Sequence, residues 1–306
     1  MKKLTEGNKM FLSVMVVFIL YALVFIAFED YDRTVLEPLD QTSDLHQLLF
    51  SLVVLVGLGF LLHRYARRMD ERISQEQADK QNIMRRQLTQ NISHELKTPI
   101  ASILGYTETI LEHPDMNDET RTQFLKRTLS QAQRLTSLLQ DISTLNRMDY
   151  ATDMIKMQSI NVADIVSEVI QETALAASKK HINVINYLPQ KIIINGNQSL
   201  IYSIFRNLID NAINYAGNDT TIKIDVQEKF DKWLFTFADN GVGIAQEHLT
   251  RIFERFYRID KGRSRSLGGT GLGLAIVKNA VLLHGGTIKA LPAQGGGMCF
   301  EFSLKK

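Results

Sequence analysis

His94 stands in the string NISHELKTPIASILGY, Asn91 to Tyr106. Read as a helix, this string puts His94 and Thr98 one turn apart on a shared face, with Glu95 next to His94 and Pro99 after Thr98. A neutral imidazole nitrogen is a competent nucleophile, and much of an ordinary histidine is neutral near pH 7. A carboxylate one residue on can take the ring proton or fix the tautomer. Alone, a His-Glu pair on a helix is usually a solvated surface pair.

Three further strings suit nucleotide chemistry. In FRNLIDNAINYA, Phe205 to Ala216, Asn207 and Asn211 fall at i and i+4 and share a helical face. Paired amide oxygens can hold a Mg²⁺ ion that also binds phosphates, although two surface or capping asparagines would read the same way. DNGVGI, Asp239 to Ile244, follows a strand-like run. Asp239 can accept from an exocyclic amine such as that of adenine, and Gly241 and Gly243 let the backbone approach a flat ligand. In isolation this string is often only a turn. GGTGLGLAIVK, Gly268 to Lys278, runs four glycines into an apolar helix. Backbone N–H groups at such a helix start cradle phosphate, but a flexible loop fits equally well. No GK[ST] is present, so it is not a Walker A loop. Between these strings lies FERFYRIDKGRSRS, with Arg255, Arg258, Lys261, Arg263 and Arg265. It reads as a basic lid that meets phosphates, or as a solvated basic loop.

The elements that position these residues follow from periodicity. From His63 to about Glu112 the pattern is helical, with a kink expected at Pro99. His113 to Asp118 reads as a turn, with Asp118 as the cap of the next helix. That helix, Glu119 to about Arg147, carries an apolar stripe that includes Leu125, Leu129, Leu135, Leu138 and Ile142. Two helices joined by a short turn cannot bury such a stripe, so pairing with a second chain into a four-helix bundle is expected. After a polar linker, 149–158, strand-like runs appear at 182–188, 191–195, 221–228, 232–239, 286–291 and 298–304, and their alternation predicts antiparallel pairing. Helical stretches at 162–179, 200–215 and 272–283 are interleaved. The expected fold is α+β, with helices on one face of a sheet.

The 306 residues carry 35 Lys plus Arg against 33 Asp plus Glu, a net charge of +2. A nucleic-acid-binding coat would be strongly basic, so no nucleic-acid partner is expected. A single cysteine, Cys299, excludes an internal disulfide framework and a multi-cysteine zinc site. Much of the apolar content sits early in the chain. Met10 to Phe28 and Leu45 to Leu62 are uncharged stretches of 19 and 18 residues, close to the span of a bilayer core. Lys2, Lys3 and Lys9 precede the first stretch, and Arg64, Arg67, Arg68 and Arg72 follow the second. The loop 29–44 holds six acids and one base. The positive-inside rule puts both ends in the cytoplasm and this loop outside. Sixteen residues are too few for a ligand-binding core.

In this order the strings closely resemble the sensor histidine kinases of bacterial two-component systems, over about Gln87 to Lys306. HELKTP resembles the family's H-box, FRNLIDNAINY its N-box, DNGVGI and GGTGLGLAIVK its glycine boxes, and FERFYR its F-box. The resemblance implies a multi-domain chain. The apolar stretches and their flanking charges, rather than the resemblance, predict two transmembrane helices and their loop over 1–62, followed by a signalling helix over 63–86. A dimeric histidine phosphotransfer hairpin occupies 87–148. After the linker, an ATP-binding α/β sandwich of the gyrase and chaperone type fills 159–306.

It also implies that His94 attacks the γ-phosphoryl group of ATP with Glu95 as base, and that Thr98 orients water for dephosphorylation. Asn211 would coordinate Mg²⁺ with help from Asn207. Asp239, Gly241, Gly243 and Tyr215 would surround adenine, and Arg255, Gly269, Gly271 and Gly273 the phosphates. The implied partners are a separate response regulator protein, a second copy of the chain and membrane lipid. The implied location is the bacterial inner (cytoplasmic) membrane. The sequence departs from the family at Asn214, where lysine is common. Leu62 and the H-box also lie too close together for the usual HAMP relay, so a continuous helix is expected to carry the signal. Two alternatives stay open: a protein acting mainly as a regulator phosphatase, and an ATP-driven conformational switch without phosphotransfer.

Overall fold

The structure is a computed structural model, and it describes residues 23–28, 30–31, 43–150, 155–260, 269–293 and 295–306. The chain divides into two units, Met1–Arg86 and Gln87–Lys306, with the boundary inside helix α1, Ser43–Glu112.

In the first unit, residues 23–28 are helical, and α1 carries Leu52, Val53, Leu55, Val56, Phe60 and Leu61 exposed. Among the described residues no helix is long and apolar enough to cross a membrane. The first expected span lies mostly outside the described residues, as does the acidic loop. The side chains of 43–50, at the start of the second span, lie outside them too.

In the second unit, the end of α1 and helix α2, Asp118–Tyr150, form the expected hairpin. α1 runs through Pro99, which has no N–H to donate to the carbonyl of Glu95. At the turn the cap is Asn117 rather than Asp118: the N–H of Thr120 donates to Asn117 Oδ1 at 2.8 Å. Asp118 is instead the first helical residue, where its charge suits the helix dipole. Tyr106 stacks on Phe124 across the hairpin with centroids 5.6 Å apart.

The rest of the unit is an α/β sandwich. The short strand β1, Gln158–Asn161, pairs antiparallel with β3, Ile193–Gly196. The main sheet has the order β2-β4-β5-β7-β6, with β2 at Asn183–Asn186, β4 at Thr221–Glu228, β5 at Lys232–Asp239, β6 at Ile288–Pro292 and β7 at Met298–Lys305. The pairing is antiparallel throughout except for β2 and β4, which run parallel. The purely antiparallel expectation fails there because helix α4, Gln198–Tyr215, intervenes and provides the crossover that parallel neighbours need.

Alternation decides which face of the sheet is covered. Ile222 and Ile224 on β4 are fully buried, while Lys223 and Asp225 between and beyond them are not. Helices α3, Val162–Ser178, α4, and α5, Gly273–Leu283, cover the buried face. Phe205 of α4 meets Phe235 and Phe302 edge-on at 5.6 and 5.7 Å, and those two rings stack at 5.1 Å. This aromatic cluster fixes the N-box helix to the sheet.

Leu138, Leu145 and Met148 of α2 are buried in the same core as the sandwich, where α2 packs against α5. The hairpin and sandwich are thus docked within one unit.

Candidate functional site

His94 lies on α1 with its side chain exposed, as α1 presents that face outward. It lines a shallow hollow with Lys97, Thr98, Ala101 and Ser102. The Thr98 hydroxyl reaches back to the His94 carbonyl at 3.4 Å, a weak bond that leaves the side chain at the hollow. The i to i+4 spacing therefore does put His94 and Thr98 together.

Glu95 points the other way. Its Oε2 accepts from Arg134 Nη2 of α2 and from Arg258 Nη2 of the F-box segment, both at 3.1 Å. The three side chains are 16, 9 and 6% exposed, so this clamp is nearly dry. Arg258 also donates to the carbonyl of Gly269 at 2.5 Å. Arg255 is paired with Asp149 of α2 at 2.8 Å.

Asp239 ends β5 and is buried. Its Oδ1 accepts from the N–H of Gly241 at 2.9 Å and of Met298 at 3.3 Å. Burial pushes its carboxyl above the usual range, and the two backbone donors oppose that. The glycines around it have distinct reasons. A Cβ on Gly241 would overlap the backbone of Ala216, just past the end of α4, so this glycine serves close packing. Gly243 has φ +63°. Gly297 has φ +86°, and a Cβ there would run into the carbonyl of Asp239. Met298, the first residue of β7, and Gly297 just before it are invisible to local spacing, because only the pairing of β7 with β5 brings them to Asp239.

The N-box helix and the second glycine box meet directly. Asn207 donates through Nδ2 to the Ser203 carbonyl at 2.8 Å, which turns its Oδ1 toward Gly273 at the start of α5. Asn211 lies one turn on and half-buried, and Tyr215 is half-buried at the helix end. Gly271 has φ +74°, and its carbonyl accepts from the N–H of Phe256 at 2.8 Å, which ties the F-box to this loop. Phe256 itself holds a left-handed φ of +63°, an uncommon conformation for an aromatic residue. Thr270 donates to Asp141 Oδ2 of α2 at 2.7 Å and accepts from the N–H of Leu272 at 3.2 Å. Burial raises the Asp141 carboxyl, and the Thr270 hydroxyl partly offsets this. The basic residues Lys261, Arg263 and Arg265 and the first glycine of the box, Gly268, lie outside the described residues.

The structure thus places Asn207, Asn211, Tyr215, Asp239, Gly241, Gly243, Gly269, Gly271 and Gly273 in the sandwich, and sets His94 on the hairpin. Sequence reasoning missed Arg134, Asp141, Asp149 and Thr270. Thr270 stood inside the second glycine string without being singled out, and Arg134 left a trace as a charge beside the apolar stripe of α2 that is nearly buried. Among the described residues no cluster of three or more His, Cys, Asp or Glu could hold a metal ion. An amide-oxygen site facing substrate phosphates needs no such cluster, because Mg²⁺ keeps several waters and shares the phosphates. The half-buried Asn211 fits that kind of site.

Comparison with known proteins agrees with this geometry. Residues 84–151 match the His Kinase A (phospho-acceptor) domain. Residues 196–306 match the histidine kinase-, DNA gyrase B-, and HSP90-like ATPase. The chain is 34% identical over 220 residues to the sensor-like histidine kinase SenX3 of Mycolicibacterium smegmatis, covering 72% of this chain and 57% of that protein. It is likewise 34% identical over 233 residues to the sensor histidine kinase WalK of Bacillus subtilis, covering 75% of this chain and 38% of that protein. The chain therefore spans only part of the length of these relatives. Among solved structures, the Acinetobacter baumannii histidine kinase AdeS matches with a TM-score of 0.58 and 25% identity, over 69% of this chain and 97% of that one. With a phospho-acceptor hairpin directly ahead of this ATPase fold, the chain belongs to the sensor histidine kinases of two-component systems.

Proposed function

We propose that this protein is a membrane-anchored sensor kinase that phosphorylates its own His94 from Mg-ATP and passes the phosphoryl group to an aspartate of a separate response regulator. The observation that supports this most is the docking of an exposed histidine hairpin onto a glycine-loop ATPase fold through the very loop that would hold phosphate.

In the transfer step a ring nitrogen of His94 donates its lone pair to the γ-phosphorus. The N–P bond forms and the β–γ bridging P–O bond breaks, leaving ADP. The ring proton would pass to Glu95, the carboxylate next in the chain, which must first turn from its clamp with Arg134 and Arg258. Asp239 accepts from the adenine amine through the carboxylate oxygen not held by backbone, with Gly241, Gly243 and Tyr215 around the base. Asn207, Arg255 and the loop Gly269, Gly271 and Gly273 meet the phosphates. Asn211 would hold Mg²⁺, which supplies charge neutralisation at the phosphates. Phosphoryl transfer depends on this positioning and neutralisation more than on covalent work by the protein.

The hairpin acts as a homodimer. Ile100, Leu104, Leu111, Leu125 and Leu129 are exposed on it, an apolar surface that a second copy would cover. The chain lies in the bacterial inner membrane, with its lipids around two helices at about 10–28 and 45–62 and both ends cytoplasmic. Leu52, Val53, Leu55, Val56 and Phe60 are exposed around α1, which suits a lipid environment better than water. A solved histidine kinase of the same fold, ThkA, is in complex with the response regulator protein TrrA, which supports a partner of that class. Thr98, sharing the hollow of His94, would orient water for dephosphorylation of the regulator. The functional segments follow as 1–62 anchor, 63–86 signalling helix, 87–148 phosphotransfer hairpin, 149–158 linker and 159–306 ATPase.

The test uses the full chain in lipid nanodiscs, with γ-labelled ATP and Mg²⁺, beside a His94→Gln variant. Acid-labile, alkali-stable label in the wild type alone is expected. Stable nucleotide binding without label would turn the reading to a regulator phosphatase or an ATP-driven switch.

A further inference from the structure

Among the described residues three polar ties join α1 and α2 to the sandwich, and all have the same sense: a carboxylate of these helices holds a donor of the phosphate-facing segments. Glu95 holds Arg258, Asp149 holds Arg255, and Asp141 holds Thr270. The F-box arginines and the second glycine box are the groups that would meet a nucleotide's polyphosphate. A guanidinium satisfies a carboxylate and a phosphate with the same fork of N–H donors, so it cannot serve both fully at once.

We infer that hairpin docking and nucleotide polyphosphate compete for Arg258 and Arg255, so that loading the nucleotide releases Glu95 from the sandwich. The inference rests on the reading of these segments as the phosphate site. Arg258 is the central residue. It is 6% exposed and touches both Glu95 Oε2 and the Gly269 carbonyl, so it spans the hairpin and the glycine loop. A cation so poorly hydrated leaves one anion only when another replaces it, and a polyphosphate is the anion that the adjacent loop is shaped to bring. Glu95 is not orphaned when Arg258 leaves, because Arg134 comes from the hairpin itself and stays. Arg258 is therefore a positioning residue: while docked it holds the base of the proposed reaction inside a dry clamp, and the nucleotide that supplies the phosphoryl group also frees that base. Arg255 follows the same logic through Asp149, whose side chain is 24% exposed.

The coupling is read without phosphorylation. Binding of Mg-ADP and of the β,γ-imido analogue of ATP to the full chain in nanodiscs is measured by calorimetry for wild type, Glu95→Gln, Asp149→Asn, Arg258→Gln and the Glu95→Gln/Arg258→Gln double variant. Removing a hairpin carboxylate is expected to tighten nucleotide binding by about fivefold, the low end of ordinary coupling between sites. Asp149→Asn should act in the same direction, and it carries the test if Glu95→Gln fails to fold. Arg258→Gln itself weakens binding, and in that background Glu95→Gln should have no further effect. Unchanged or weaker binding in both carboxylate variants overturns the inference. Tighter binding with no label on His94 in the wild type leaves the coupling standing and removes the kinase reading. Label on His94 with unmoved affinities does the reverse.

Discussion

A Cβ on Gly273 would overlap Asn207 Oδ1, so the first asparagine of the N-box helix fills the space that a side chain on the first residue of α5 would need. The contact joins two strings that lie 66 positions apart in the chain and makes the amide and the loop one unit. Gly273→Ala improves helix propensity but forces Asn207 aside. It is expected to destabilise the sandwich by about 1–3 kcal/mol, in the range of overpacking. Trp233, the single tryptophan, sits on β5 and reports denaturant unfolding of this domain. Adding Asn207→Ala should restore most of the stability while leaving nucleotide binding weak. A double variant as unstable as Gly273→Ala would show that the overlap is not the cause.

Asp239 has its two carboxylate oxygens in different roles. Oδ1 serves the N–H groups of Gly241 and Met298, leaving the other for a ligand. Asp239→Asn keeps an oxygen for the backbone and turns the other atom from acceptor to donor. Nucleotide affinity should fall by about tenfold or more, roughly the 1.4 kcal/mol or more of a lost hydrogen bond to a charged group. The unfolding midpoint should move little. Because burial raises this carboxyl, wild-type affinity should also fall at a higher pH than an ordinary aspartate would dictate as the solution is acidified. Titrations with a fluorescent ADP analogue between neutral and acid pH check both points.

His284 is buried at the end of α5, with Nε2 accepting from the N–H of Asn197 at 3.0 Å and Nδ1 facing the Ala280 carbonyl at 2.7 Å. That pattern requires the neutral ring with its proton on Nδ1. Burial lowers its pKa below the ordinary 6.5, against the opposing pull of the Ala280 carbonyl. The unfolded state then takes the proton first. Stability is complete above the unfolded value and declines as pH falls from there toward the folded one, with a slope of up to about 1.4 kcal/mol per pH unit. His284→Gln should lose this part of the slope in Trp233-monitored unfolding. An identical pH dependence in wild type and variant would assign the slope to other groups.

Thr98 shares the hollow of His94 while its hydroxyl makes only a long bond to the helix backbone. Thr98→Ala should leave labelling of His94 within about twofold, because a surface substitution of this kind seldom costs more than about 0.5 kcal/mol. It should slow dephosphorylation of the labelled regulator by at least about tenfold, the lower side of what one positioned proton-transfer or water-orienting group contributes. Equal loss of both activities would point to a damaged hairpin instead.

The elements were legible because their periods are strong. The helix spacing of α2 and the alternation of β4 and β5 are properties of neighbouring residues, and local periodicity carries them. The four chemical strings were legible for the same reason, since each packs its donors into one turn or loop. The strand β1 was not, because four residues have almost no period to read. Nor were the parallel pairing of β2 with β4, which the α4 crossover sets, and the Asn117 cap, because Asn117 and Asp118 both carry a side-chain oxygen that can accept there. The site's electrostatics were decided by tertiary structure alone. Nothing near Glu95 in the sequence announces that Arg258, 163 positions on, will bond to it. Nor does anything near Asp239 announce the N–H of Met298. Residue type and spacing determined which groups this protein could use on a phosphoryl group. Packing α2 against α5 decided which of those groups face each other, because burial leaves a charge only the partners that the fold brings to it.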